Sequence, residues 1–398
     1  MSLRKIINDP VHGFITIDDP LILQLINHPW YQRLRRIHQM ALAQLVYPGA
    51  VHTRLHHSLG AYHLMRYALF ELQLKGITIT PQEARGAKIA ILLHDIGHGP
   101  FSHALEGYLA TGLHHETLSI AIMHKLNAEL GGALDIAIAI FTNTYNKPYL
   151  HQLVSGQLDV DRMDYLTRDS FNTGVSEGAV GYDRILKMIT VHQNHLVVEE
   201  KAIFSIEKFL IARRLMYWQV YLHKTVVVAE QMLRSIILRA KAVQANCATT
   251  AMQYILHHSQ GYNDELLTQF CSMDDYDVLS SIKAWMTHTD AVLAQLSTRL
   301  INRDLLKIKY VPQQDVAAML AKYNDIAMHN YHIPANDLHH YVYSGVVRNS
   351  LYQPATEQIN ILYKDGTIKD IADVDNALVH TNSAYSGVEE KHYVIYIG

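Results

Sequence analysis

HDIGHGPFSH, from His94 to His103, places three histidines and an aspartate within ten residues and interrupts them with two glycines and a proline. Packing in a helix or a strand rewards none of those choices. Imidazole and carboxylate together make a ligand set for a metal ion, and Gly97, Gly99 and Pro100 mark a chain that bends tightly around something. Upstream, AKIAILL is an apolar run at helical spacing. His94 and Asp95 therefore stand at the end of a helix that Gly97 terminates, where both side chains can turn towards one ion.

Two adjacent ligands do not close a site. His57, in RLHHSLGAYH on the preceding helix, is a third candidate, and Asp161, in GQLDVDRMDYLTRD, is a fourth. Asp159, Asp161, Asp164 and Asp169 punctuate that second helix, which also carries Arg162 and Arg168. A carboxylate-studded helix is by itself most often a solvated face. With 26 histidines in the chain, any single one is also more often a surface or core-edge residue than a ligand. The joint order H…HD…D beside a glycine-rich bend is what argues for a site. Two imidazoles and two carboxylates suit a divalent ion (Fe, Mn, Zn, Ni or Mg), with positions left open for water and phosphate oxygen.

Outward from this stretch, apolar residues recur at helical spacing from Leu21 to about Ile140, with breaks at Pro29, Tyr47-Pro48-Gly49, Gly76 and Pro81. Ser205 to Val243 contains no Gly or Pro and is expected to form one long helix. Just before it, MITVHQNHLVVEEKAIFS has β-branched residues on both sides of HQNH and reads as a hairpin. Beyond Pro334, QINILYKDGTIKDI alternates around Asp365-Gly366, a turn pair favoured in hairpins, and HYVIYI reads as a closing strand. The expected fold is mainly α: a helical body with a β-hairpin insertion and a small β-rich C-terminal subdomain.

The 398 residues, 49% of them hydrophobic, are enough to bury a sizeable core. A net charge of −3 supplies no global basic field, which disfavours extended duplex nucleic acid; the charge that holds a polyanion must be gathered locally. Cys247 and Cys271 suit a reducing compartment and exclude a disulfide framework. The start, MSLRKIINDPVHGF, has no apolar signal core, and no stretch approaches a membrane span. The protein reads as cytoplasmic.

The order of these motifs resembles the HD superfamily of metal-dependent phosphohydrolases. Within it, INDPVHG (Ile7–Gly13), QRLRRIHQ (Gln32–Gln39), PGAVHTRLHHSLG (Pro48–Gly60), LLHDIGHGPFSH (Leu92–His103), HE (His115–Glu116), DVDRMDYLTRD (Asp159–Asp169) and YLHK (Tyr221–Lys224) are similar to the deoxynucleoside triphosphate triphosphohydrolases related to the mammalian SAM-and-HD-domain enzyme. The resemblance extends over residues 4 to 310 and includes no SAM domain. It implies an HD-domain helical body and hydrolysis of dNTPs to deoxynucleoside and tripolyphosphate. The alternatives are another HD phosphohydrolase, acting as nucleotide phosphatase, cyclic-nucleotide phosphodiesterase or alarmone hydrolase, or a nucleotide-binding sensor with a structural metal.

The resemblance further implies metal ligation by His57, His94, Asp95 and Asp161. It implies that His115 is the general acid for the 5′-oxygen, and that His103 with Glu106 is a second histidine–carboxylate pair near the attacking water, where the family carries Asp instead of Glu106. Arg54 lies one helical turn before His57 on the same face and can reach a phosphate oxygen. Arg162, Arg213 and Lys224 resemble triphosphate-contacting or nearby positions. Tyr165, four residues after Asp161, can press an aromatic ring on the sugar and exclude a 2′-hydroxyl by sterics. Gln39 matches a residue that binds the 3′-hydroxyl and Asp169 one at the sugar end, and Tyr221 is a further substrate-binding position. Met40 replaces the family's usual Leu beside Gln39, and Leu222 stands where the mammalian enzyme has a polar residue.

The mammalian relative forms tetramers with nucleotides bound between subunits. Lys5, Ile6, Asn8, Gln32 and Arg35 fall at positions like those of its regulatory pocket, and Asn27 replaces an aspartate that reads guanine there. An amide lacks the carboxylate's paired charged acceptors, so guanine-specific activation is weakened in this expectation. INDPVHG is also, plainly, a run of turn formers. The expected partners are a nucleotide substrate, a nucleotide effector and a second or further copies, as homodimer or homotetramer. The expected organisation is an N-terminal segment over 1–50, the HD core over 51–180, a helical extension over 181–330 and the β-rich region over 331–398.

Overall fold

The computed structural model describes residues 4–109, 114–258, 261–350, 352, 357–374 and 388–398. It begins with a hairpin, β1 (Lys5–Asp9) and β2 (Gly13–Ile17), followed by the short helices α1 (Pro20–Asn27) and α2 (Pro29–Gln32). The body then winds through α3 (Arg54–Leu74), α4 (Pro81–Leu93), α5 (His115–Glu129), α6 (Asp135–Phe141), α7 (Pro148–Val154), α8 (Val160–Thr173) and α9 (Tyr182–Met188). A second hairpin, β3 (Ile189–His192) and β4 (His195–Glu199), precedes α10 (Ile203–Met216) and α11 (Lys224–Ala242). Four further helices follow: α12 (Thr250–His257), α13 (Asp264–Ser272), α14 (Asp275–Trp285) and α15 (Ala291–Ile301). The chain ends with β5 (Lys307–Tyr310), α16 (Val316–Tyr331), β6 (Tyr343–Ser350), β7 (Asn360–Leu362), β8 (Ile368–Asp370) and β9 (Val388–Tyr396).

Helix α3 is the axis of the body. Its buried residues, from Leu55 through Leu59, Tyr62, Met65 and Leu72, fall on most of its faces, and it packs against both α4 and α8. A helix surrounded in this way needs little amphipathic contrast, because burial all round replaces the single apolar stripe of a surface helix. Helix α4 starts at a capping box in which Thr80 and Glu83 satisfy each other's backbone N–H, and it runs directly into His94 as its C-terminal cap. The HD dipeptide is thus delivered by a well-anchored helix to the point where α3 and α8 meet.

Both hairpins read from the sequence form. Gln193 and Asn194, with φ of 48° and 68°, make the two-residue turn that matches strand twist, pairing His192 with His195. Around Asp365-Gly366, β7 and β8 pair antiparallel. Among the described residues the C-terminal strands fall in two sheets, with β6 paired along its length to β9. β7 runs parallel to β4, with Val198 opposite Ile361, and β9 lies between β6 and β5, with Lys307 opposite Tyr396. Residues 375–387 of that region lie outside the described residues.

The single helix expected over Ser205–Val243 is corrected to two. α10 stops at Met216, one π-helical turn spans Tyr217–Tyr221, and α11 restarts at Lys224 with His223 as its cap. Leu222 N–H bonds to the Tyr217 carbonyl at 2.7 Å, closing the wide turn. The reason is not a breaker residue: widening the turn rotates Tyr217, Tyr221 and Leu222 into the cavity described below.

Candidate active site

His57, on the first turn of α3, brings its Nε2 to 3.3 Å from His94 Nε2 and 3.0 Å from Asp161 Oδ1, while His94 Nε2 stands 3.4 Å from the same oxygen. The three ligand atoms lie within 4.8 Å of one another. Asp161 enters from the first turn of α8, whose N-cap is Asp159. Burial pulls the His57 imidazole down, but hydrogen bonds to Asp161 and Asp164 outweigh it and hold the ring at about 10. The cluster thus favours positive charge at the point where the two imidazoles and the carboxylate converge. Once His57 gives up its Nε2 proton, two neutral nitrogens and a carboxylate oxygen form a donor set fitted to a divalent metal ion, which His57, His94 and Asp161 would hold. Asp95 sits at its edge. Its Oδ1 is 3.3 Å from His94 Nε2, and its other oxygen is 3.7 Å from His57 Nε2 and hydrogen bonded to Arg54 Nη1. Arg54 also donates from Nε to Ser102 Oγ at 2.7 Å.

A second imidazole cluster adjoins the first. His98, His103 and His115 also bring one ring nitrogen each within 4.8 Å of one another. Glu106 accepts from His115 Nδ1 at 2.7 Å and from the His115 backbone N–H at 2.9 Å, and lies 3.3 Å from His103 Nδ1. The bond with His103, and after it those with His115, hold the Glu106 carboxyl well below its usual range despite partial burial. His98 is buried; among the described residues neither of its ring nitrogens makes a hydrogen bond, although Nδ1 lies 3.3 Å from Asp95 Oδ1, and burial, reinforced by Arg54, drives its pKa far down. The bend that assembles the cluster is strained: Phe101 and Ser102 both have φ near 50°, at 50° and 44°. Buried Asp275 holds it by accepting from Phe101 N–H at 2.8 Å.

Gly97 explains one glycine of the opening motif. A Cβ there would meet the His115 carbonyl oxygen at 2.2 Å and the Ser119 nitrogen at 2.3 Å, so only glycine lets α5 approach the HD turn. Gly97→Ala is expected to destabilise the fold by about 1–3 kcal/mol and to slow turnover by displacing His115. Thermal unfolding and kcat check this, and wild-type values of both would show that α5 does not depend on the contact.

Both clusters open into a cavity of about 560 Å³, a volume suited to a nucleotide-sized ligand. Its wall carries Arg54, Asp95, His98, His103, His115, Asp161 and Arg162. The same wall carries Gln39, Met40, Tyr165, Asp169, Tyr217, Tyr221 and Leu222. Gln39 presents a buried Oε1 with no hydrogen-bond partner among the described residues, an acceptor left for a ligand. Tyr221 donates to Asp169 at 2.7 Å, and His52 Nε2 pairs with the other Asp169 oxygen at 2.7 Å. The Tyr165 and Tyr221 rings meet edge to face with centroids 6.3 Å apart.

Not every residue singled out in the sequence reaches this wall. Arg213 is not part of the wall; it donates to Gln157 at 3.2 Å and lies over the Tyr217 ring. Arg162 lines the cavity, but its Nη1 is engaged by Asp159 and the Gly156 carbonyl. Lys224 is exposed. Lys5, Ile6, Asn8, Asn27 and Arg35 are exposed as well, and Gln32 is half-buried, donating to the Ile26 carbonyl at 2.6 Å and accepting from Arg35 at 2.6 Å.

Among the residues of the site that carried no assigned role in the sequence are His98, Asp164 and Glu230. His98 stood inside the opening motif itself. Asp164 accepts from His57 Nδ1 at 2.8 Å, and the solvated-face reading of its helix fails: Asp159 and Asp164 are fully buried and Asp169 nearly so. Glu230, on α11, also lines the cavity, and burial raises its carboxyl to about 7, with Arg234 and His103 opposing. Its signal was spacing: Val226, Glu230, Leu233 and Ile237 form one helical face on which the other three are buried.

The comparisons with known proteins agree with this architecture. The HD domain model matches residues 54–169, which span both clusters' helices, and the HD associated region model matches residues 180–336. The uncharacterized protein YwfO of Bacillus subtilis is 30% identical over 410 residues, covering 99% of this chain and 92% of that protein. Deoxynucleoside triphosphate triphosphohydrolase SAMHD1 of Gallus gallus is 29% identical over 283 residues, 60% of this chain and 46% of that protein, so the match spans under half the relative's length. The crystal structure of a phosphohydrolase from Bacteroides thetaiotaomicron superposes with a TM-score of 0.93 at 44% identity over 100% of both chains. Among the described residues no helix is long and apolar enough to cross a membrane. With the His57–His94–Asp161 cluster at its centre and these relatives around it, the chain belongs to the HD-domain phosphohydrolases.

Proposed function

We propose that the chain hydrolyses deoxynucleoside triphosphates to deoxynucleoside and tripolyphosphate. The observation that carries this reading is one cavity whose wall holds cationic and metal-binding groups together with Gln39, Tyr165, Asp169 and Tyr221. The similarity to SAMHD1 supports the same substrate class. A divalent ion held by His57, His94 and Asp161, with Asp95 beside it, would supply Lewis-acid polarisation and neutralise charge on the phosphoryl group. Arg54, with Nε and Nη1 already engaged inside the protein, offers its remaining nitrogen to a phosphate oxygen. His115, its Nδ1 on Glu106, keeps Nε2 for the proton that the leaving 5′-oxygen needs, and His103 shares that carboxylate near the attacking water. At the sugar end Gln39 reads the 3′-hydroxyl, while Tyr165 covers the 2′ face. Exposed Lys5, Ile6, Asn8, Asn27 and Arg35, with Gln32, would bind a nucleotide effector only where subunits meet, in a dimer or tetramer.

The test is turnover of a dNTP and NTP panel with Mn, Fe or Mg, resolving the phosphate product. Free tripolyphosphate is expected from dNTPs. Monophosphate or pyrophosphate would identify a different HD phosphohydrolase, and binding without turnover would identify a nucleotide sensor. In the same panel Tyr165→Ala is expected to narrow the dATP-to-ATP and dGTP-to-GTP ratios. Deleting the ring admits a 2′-oxygen and also forfeits stacking area, so ribonucleotides gain relative to a weakened deoxynucleotide rate. An unchanged ratio would make Tyr165 a core aromatic.

A further inference from the structure

The hairpin β1–β2 turns through Asp9-Pro10-Val11-His12-Gly13, and two of its side chains point into the protein instead of out. Asp9 Oδ1 accepts from the backbone N–H of Val11 at 3.0 Å and of His12 at 2.8 Å, which fixes the turn. His12 Nε2 then meets Asp164 Oδ1 at 2.6 Å, and its Nδ1 meets the Tyr182 hydroxyl at 3.1 Å. Arg168, one turn along α8, bridges the two carboxylates. It reaches Asp164 from Nε at 2.9 Å and from Nη2 at 3.0 Å, and Asp9 from Nη1 at 2.8 Å and from Nη2 at 3.2 Å. The remaining bond of Asp164, from Oδ2, is the one to His57 Nδ1 at 2.8 Å. The side chains of His12, Asp164 and Arg168 are wholly buried, so water does not compete for these bonds. Gly60 is the notch that admits them: a Cβ there would stand 2.0 Å from Asp164 Oδ1 and 2.2 Å from Arg168 Nη2.

We propose that the N-terminal hairpin is part of the metal centre, and that His12 is a positioning residue which, through Asp164, orients the ring of His57. The inference rests on the reading of His57 as a metal ligand. A carboxylate that can only accept forces the His57 proton onto Nδ1 and leaves the Nε2 lone pair facing His94 and Asp161, the arrangement in which outer partners of a ligating imidazole tune metal affinity. Arg168 donates to both Asp164 oxygens from its own helix, and His12, in the β1–β2 turn 152 residues away in sequence, fixes Oδ1 from a second direction, so that the carboxylate cannot swing with the Arg168 side chain.

The experiment uses the full chain loaded with cobalt(II), reading the visible absorption of the ion, its rate of loss to a chelator, and the thermal midpoint. His12→Leu and the shorter, polar His12→Asn both remove the bond to Asp164. Each is expected to speed cobalt loss about 10-fold or more and to shift the absorption, the usual size of a lost outer-shell partner. His12→Gln, whose amide can donate to Asp164, is expected to recover most of the slow loss. A folded His12→Leu or His12→Asn protein with wild-type cobalt kinetics and spectrum, whatever its thermal midpoint, overturns the proposal. His57→Ala separates the two failures. It is expected to lose cobalt outright, and if it keeps the ion with a wild-type spectrum, the ligand reading of His57 is wrong and the relay falls with it.

Discussion

Asp161→Ala is expected to abolish turnover and strip the bound metal while leaving the helical body folded. Its Oδ1 lies within 3.0 Å of His57 Nε2 and 3.4 Å of His94 Nε2, the only point at which those two rings share a carboxylate from α8. Without it the site retains two imidazoles and Asp95, and Asp95 is already hydrogen bonded to Arg54. Polarisation by a metal contributes several kcal/mol to phosphoryl transfer, which corresponds to at least about 10³-fold in rate. The fold tolerates the change because the Asp161 side chain is 26% exposed at the cavity wall and caps no helix, the N-cap of α8 being Asp159. Metal analysis after dialysis, circular dichroism and turnover check the three parts together. Full activity with metal still bound would remove Asp161 from the centre.

His115→Ala is expected to separate the proton donor from the metal. The variant should retain its metal, because His115 lies outside the His57–His94–Asp161 cluster, and should hydrolyse about 10²–10⁴-fold more slowly, the range for a lost general acid. The backbone N–H of His115 still donates to Glu106, and His103 still pairs with that carboxylate, so the bend survives the truncation. An unchanged rate would remove His115 from the mechanism. Loss of metal instead would place His98, His103 and His115 among the ligands, which their shared 4.8 Å separation permits.

Local order was legible in the sequence. The run Ala87–Leu93 ending in His94-Asp95, the turn at Gln193-Asn194 and the hairpin at Asp365-Gly366 are encoded by neighbours, because helix periodicity and turn chemistry act over a few residues. The meeting of His57, His94 and Asp161 followed from their order and type, since a metal site selects donors that packing does not. The break of the expected long helix at Tyr217–Tyr221 was not legible, because no residue there forbids a helix; the cavity wall that the π-turn serves exists only once α8 and α10 are packed.

Which carboxylates of DVDRMDYLTRD face inward was likewise undecided by spacing. Asp159, Asp161, Asp164 and Asp169 cover several faces of α8. Only its burial between neighbours gives each an occupation: Asp159 to the cap, Asp161 to the metal cluster, Asp164 to His57 and Asp169 to His52 and Tyr221. INDPVHG carried its turn in its own composition. That its Asp9 and His12 complete a buried charge network with Arg168 and Asp164 depends on contacts across more than 150 residues. A buried ion or imidazole must find a partner wherever the fold supplies one, and that partner leaves no mark on the residues adjacent in the chain.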